Sequence, residues 1–82
     1  MPIPKDLDED VIAEVSLAIL SLSREGGESG YRAWKGLDWD VMHLLHEKGW
    51  IGSPVGKQKS VALTEEGIRK ADKYLDKYFR RK

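Results

Sequence analysis

The stretch DWDVMHLLHEKGWIGSPVGKQKSVALTEEG, residues 38–67, decides the fold. It reads in order as a helix, a short strand, a basic turn, a second strand and the cap of another helix. Asp38 is placed to accept a hydrogen bond from the free amides of a first helical turn. Asp40 sets a second negative charge against the positive helix end. The helix is predicted to run to Lys48, where Gly49 supplies the left-handed residue that stops it. Val41, Met42 and Leu45, with Leu44 at the edge, form its inward side. Residues 50–53 and 60–63 are short and apolar-rich, and Gly56 lies in the loop between them, so the spacing predicts a hairpin. Thr64 then caps the final helix.

The final helix carries Glu65 and Glu66 at its positive end and Arg80 and Arg81 at its negative end. Ile68, Ala71, Leu75, Tyr78 and Phe79 line its expected core face. At the other end of the chain, Asp6 or Asp8 is the N-cap of a first helix. There Leu7, Val11, Ile12, Val15, Ala18, Ile19 and Leu22 recur at helical spacing and form one broad stripe. Ala13, Leu17 and Leu20 make a second apolar patch on a different side. A helix buried on one face has no need of it. The patch is either a scatter of surface apolar residues or a contact with a second subunit. Residues 24–33, with Gly26, Gly27 and Gly30, are expected to form a loop. Residues 31–35 suit a short strand because Tyr and Trp favour half-buried pleated surfaces. Trp34 and Trp50 are expected near the core edge, beside the hairpin.

The pieces EKGWI and VALTEEG, joined by a Gly- and Lys-containing turn, resemble the end of a winged-helix domain of the MarR or PadR regulator type. In that pattern a recognition helix ends in Gly, a hairpin wing follows, and a leucine-threonine-x-x-glycine step opens a long last helix. Gly49, Ile51, Leu63, Thr64 and Gly67 occupy the matching positions, and the likeness covers about half the chain. The segment RAWKGLDWDVMHLLHEKG also resembles a small bacterial family of uncharacterised proteins. The resemblance implies an α+β, winged-helix-like fold over residues 1–82. It would have three helices and a two- or three-stranded antiparallel sheet with a hairpin wing. The sequence departs from the regulator pattern in one place. A helix-turn-helix needs a scaffold helix before the recognition helix, and only the Gly-rich residues 24–37 are available for it.

Eighty-two residues suffice for one small domain, which buries roughly 60–65% of its unfolded surface. A partner subunit is the simplest addition to so marginal a core. Fourteen basic residues balance fourteen acidic ones. That balance disfavours a protein whose main task is gripping phosphates. Without cysteine there are no disulfides and no thiolate metal sites, which fits a reducing cytoplasm. No apolar run approaches the ~20 residues of a membrane span, and residues 1–10 hold no signal-peptide core.

Several residues are candidates for function. Trp39, His43 and His46 cluster on the central helix with Glu47 beside them. They form either a solvated edge, a partner-binding face rich in contact energy, or part of a zinc site with Asp40 or Glu47. No HExxH motif supports the last. Lys57 and Lys59 in the hairpin loop are either solvated or touch phosphate, with Lys48 as a further cation. Gly52 to Lys57 fails as a phosphate loop on spacing and on the missing Ser or Thr. No nucleophile elbow or nucleotide fingerprint is present, so no enzyme, cofactor or resident metal is expected. The leading expectation is a bacterial, cytoplasmic homodimer acting through protein contacts. Its dimer interface would use Ala13, Leu17 and Leu20, or Tyr74 and Tyr78. The alternative is a DNA-binding transcription regulator using residues 38–48 and 54–59.

Overall fold

The computed structural model describes residues 3–27 and 30–81. Helix α1 (Glu9–Ser21) leads into strands β1 (Glu25–Gly27) and β2 (Gly30–Trp34). Helix α2 (Trp39–Glu47), strand β3 (Ser60–Leu63) and helix α3 (Glu65–Tyr74) follow, and α3 passes into a π-helical turn, Leu75–Phe79. The sheet is antiparallel with order β1-β2-β3. Three helices and a three-stranded sheet make an α+β fold consistent with a winged-helix-like arrangement. The three expected helix caps form. Asp8 accepts from the Asp10 and Val11 amides, Asp38 from the Asp40 amide, and Thr64 from the Gly67 amide.

The Gly-rich segment 24–33 is not a loop. It supplies β1 and most of β2, with Gly26 facing Tyr31 across the ladder. A Cβ on Gly26 would stand 2.2 Å from the Gly30 carbonyl oxygen, so only glycine lets the two strands close there. This hairpin stands where a helix-turn-helix would have its scaffold helix. The expected wing is correspondingly reduced. The main partner of β3 is β2, whereas residues 50–53 touch β3 through one isolated bridge, Ile51 with Leu63. Two hydrogen bonds make that edge: the Gly52 amide to the Ala62 carbonyl at 2.9 Å, and the Thr64 amide to the Trp50 carbonyl at 3.1 Å. Pro54 has no amide to continue the ladder.

The core joins Leu17 and Leu20 of α1, Met42 and Leu45 of α2, Ile51, Val61 and Leu63 of the sheet, and Ala71 and Tyr74 of α3. This shifts the expected roll of α1, whose expected stripe keeps Ala18 fully buried. Ala13, Leu17 and Leu20 are buried inside the protomer, while Leu7, Val11, Ile19 and Leu22 are exposed, Leu22 by 70%. Asp10 and Glu14 lie on the same half of the helix as Ala13 and Leu17, and their partners fix the choice. Lys48 reaches Asp10 at 2.9 Å; the Tyr78 hydroxyl donates to Glu14 at 2.7 Å and Lys77 at 3.2 Å. Ala13, Leu17, Leu20 and Tyr74 therefore cannot form the dimer interface expected of them. Tyr78 is half-buried and its hydroxyl is engaged by Glu14.

The last turn also departs from expectation. The Arg80 amide bonds to the Leu75 carbonyl at 2.9 Å, a five-residue step that widens the helix. Leu75 and Tyr78 still pack against the core, but Phe79 is exposed.

Candidate functional site

Strand β2 ends at Trp34, and the four residues after it must turn into α2. Asp38 caps α2, which places Trp39 at the first helical position, next to the β2 end. The turn is held by Lys35. Its amide donates to the Lys59 carbonyl at 2.8 Å, extending the ladder beyond β2. Its ammonium donates to the Pro54 and Gly56 carbonyls at 2.9 and 3.2 Å. The same ammonium lies 5.7 Å from the centre of the Trp39 ring, within cation–π range. Lys35 thus clasps loop 54–59 against the start of α2.

The clasp leaves a groove of about 430 Å³ lined by Trp34, Trp39, Lys57, Gln58 and Lys59, with buried Met42 also on its wall. Trp34 and Trp39 are each 56% exposed. Arg32 is spent on the loop, donating to the Ser60 hydroxyl, the Ser60 carbonyl and the Gln58 side-chain oxygen. A second concavity of about 560 Å³ covers the outward sheet face and shares Trp34 and Lys59 with the groove. Indole faces and ammonium groups in one groove recognise apolar or aromatic groups together with anions.

The sequence candidates divide around this groove. Trp39 and His43 stay together, with ring centres 5.9 Å apart. His46 turns away and donates its Nδ1 proton to the Ile51 carbonyl at 3.1 Å, a contact that supports the sheet edge. Glu47 is exposed at the far end of α2. Among the described residues, no three of His, Cys, Asp or Glu converge as a metal site requires, so His43 and His46 do not share a third ligand. Lys57 and Lys59 lie in the groove. Lys48 does not: it pairs with Asp10 and covers Trp50 at 5.5 Å, at the opposite end of α2. Trp34, expected at the core edge, is instead a groove wall, and nothing local in the sequence marks Lys35 as its clasp. The one available signal was the pairing of Trp34 and Trp39 around a Gly-containing turn.

Away from the groove, the Tyr78 hydroxyl and then Lys77 hold the Glu14 carboxyl below its ordinary range. The Tyr78 hydroxyl and Glu14 in turn raise Lys77, while burial, then Glu14, raises Tyr74. These shifts belong to the α1–α3 seam and concern stability.

The chain is 41% identical over 76 residues to the uncharacterized protein y4hR of Sinorhizobium fredii (strain NBRC 101917 / NGR234). The match covers 93% of this chain and 99% of that protein. No solved structure matches. A family model, the domain of unknown function DUF6429, matches residues 8–81. The chain belongs to that family.

Proposed function

We propose that this protein is a homodimeric binding module that acts through protein contacts and performs no chemistry of its own. The observation that carries this reading is the convergence of Trp34 and Trp39, both half in water, with Lys57 and Lys59 in one pre-shaped groove. Exposed tryptophan is costly to leave in solvent and is enriched where partners dock. The dimer moves from the inner to the outer side of α1. Val11, Ile19 and Leu22 are exposed there, and Ile12 and Val15 are half-buried between them. An aliphatic stripe along a whole helix suits a second copy of the same helix.

Static light scattering tests the dimer. The wild type is expected at twice the protomer mass, and Ile19→Glu at the protomer mass with its helical circular dichroism unchanged. A wild type that stays monomeric at every concentration overturns the dimer. The cytoplasm remains the expected compartment; no helix of the described residues is long and apolar enough to cross a membrane.

A second reading, a DNA-binding regulator, is favoured by one observation: no partner holds the Lys57 or Lys59 ammonium among the described residues. Against it, Lys48 is engaged elsewhere and α2 opens with Asp38 and Asp40, which would face phosphates. Duplex DNA uptake that falls steeply with salt would support this reading over the first.

A further inference from the structure

We infer that the Trp34–Trp39 groove binds an extended acidic peptide segment, one that alternates carboxylates with apolar or aromatic side chains. The inference rests on the groove being the working surface and names its occupant. Of the four cations that line it and the adjoining concavity, two are already used. Arg32 holds Ser60 and Gln58, and Lys35 holds the Pro54 and Gly56 carbonyls. Lys57 and Lys59, two residues apart in the chain, remain in the lining that also holds the two indoles. Carboxylates two residues apart on an extended segment share one side of it, so one segment offers a carboxylate to each of these lysines. Side chains of the alternate residues would then meet Trp34 and Trp39.

The arrangement of negative charge favours a peptide over a nucleic acid. Glu25 lines the adjoining concavity over the sheet, beyond the end of the groove that holds Trp34 and Lys59. A strand with a phosphate at every link would meet the Glu25 carboxylate as it ran from the groove onto the sheet. A peptide is free to place its carboxylates opposite Lys57 and Lys59 and apolar groups elsewhere. Trp34 and Lys59 belong to both concavities, so an extended chain entering the groove continues onto the sheet. There Ala62, with its single methyl group, presents a low surface.

The test is a fluorescence and calorimetric titration of the full chain with three probes. These are a short synthetic peptide alternating aspartate with leucine and phenylalanine, the same peptide with lysine for aspartate, and a short oligothymidylate. The acidic peptide should bind and shift the emission of Trp34 and Trp39. Trp34→Ala with Trp39→Ala should abolish binding, and Lys57→Glu with Lys59→Glu should weaken it roughly tenfold or more. The charge-reversed protein should gain affinity for the lysine peptide, an outcome that a merely damaged groove would not give. Circular dichroism of each variant confirms that the fold is kept. Oligothymidylate binding that needs the same tryptophans and lysines, with no uptake of the acidic peptide, would overturn the peptide assignment and leave the groove as working surface. Acidic-peptide binding untouched by the lysine reversals would also overturn it. Failure of all three probes would overturn the groove itself together with its occupant.

Discussion

Gly67 shows how one missing side chain supports the fold. A Cβ there would lie 1.9 Å from the Trp50 carbonyl oxygen, a rigid backbone atom. Gly67→Ala is expected to cost about 3 kcal/mol or more, read as a fall in the urea midpoint. Gly36→Ala, with open space around it, should change stability by about 1 kcal/mol or less. The position of Gly67 was legible in the sequence as part of a helix-opening motif. Its necessity was not, because the crowding atom lies seventeen residues earlier in the chain. Glu14 gives a pH signature. Its folded carboxyl is held below the ordinary glutamate value of 4.5, chiefly by the Tyr78 hydroxyl. Its stabilising share is therefore complete above that value and fades as pH falls through the lowered one. Tyr78→Phe is expected to cost about 1 kcal/mol at neutral pH. The gap between variant and wild type, measured by denaturant titration, should narrow below pH 4.5.

At the scale of the element, α1 is the instructive case. Both of its sides are apolar, so periodicity identifies the helix but not its roll. The observed roll packs Ala13, Leu17 and Leu20 into the core and is matched by the pairing of Asp10 with Lys48 and of Glu14 with Lys77 and Tyr78, residues from other elements whose position no local pattern encodes. The consequence is measurable. Leu17→Ala is expected to cost about 2–5 kcal/mol as a core cavity, whereas Ile19→Ser should shift protomer stability by about 0.5 kcal/mol. Comparable losses at both positions in a chemical-denaturation series would contradict the observed roll. Strand β1 is hidden in the sequence for a related reason. Its glycines signal a turn locally, and only the approach of Tyr31 turns that permissiveness into strand pairing. Helix α2 was read correctly because Met42 and Leu45 face inward while Asp38 and Gly49 mark its ends. The groove was half legible: Trp39, Lys57 and Lys59 were singled out, but as parts of two separate sites.

The whole molecule is thin, with principal extents of 40 × 38 × 18 Å. One layer of helices on a small sheet gives a single shallow core. Stability toward the lower end of the usual range, about 5 kcal/mol, is expected for such a chain. A homodimer would add stability by mass action. The thermal midpoint should then rise with protein concentration in the wild type, and Ile19→Glu should remove that dependence. A midpoint independent of concentration in both would argue for the isolated protomer.

Thr64 ties four segments with three hydrogen bonds. Its hydroxyl donates to the Gly49 carbonyl and accepts from the Gly67 amide, and its own amide donates to the Trp50 carbonyl. The exit of α2, the sheet edge, the end of β3 and the start of α3 therefore share one knot. Solvent deuterium should enter the Thr64 and Gly67 amides in a single opening event, with equal protection, because neither the last helix nor the edge can fray while the other stays closed.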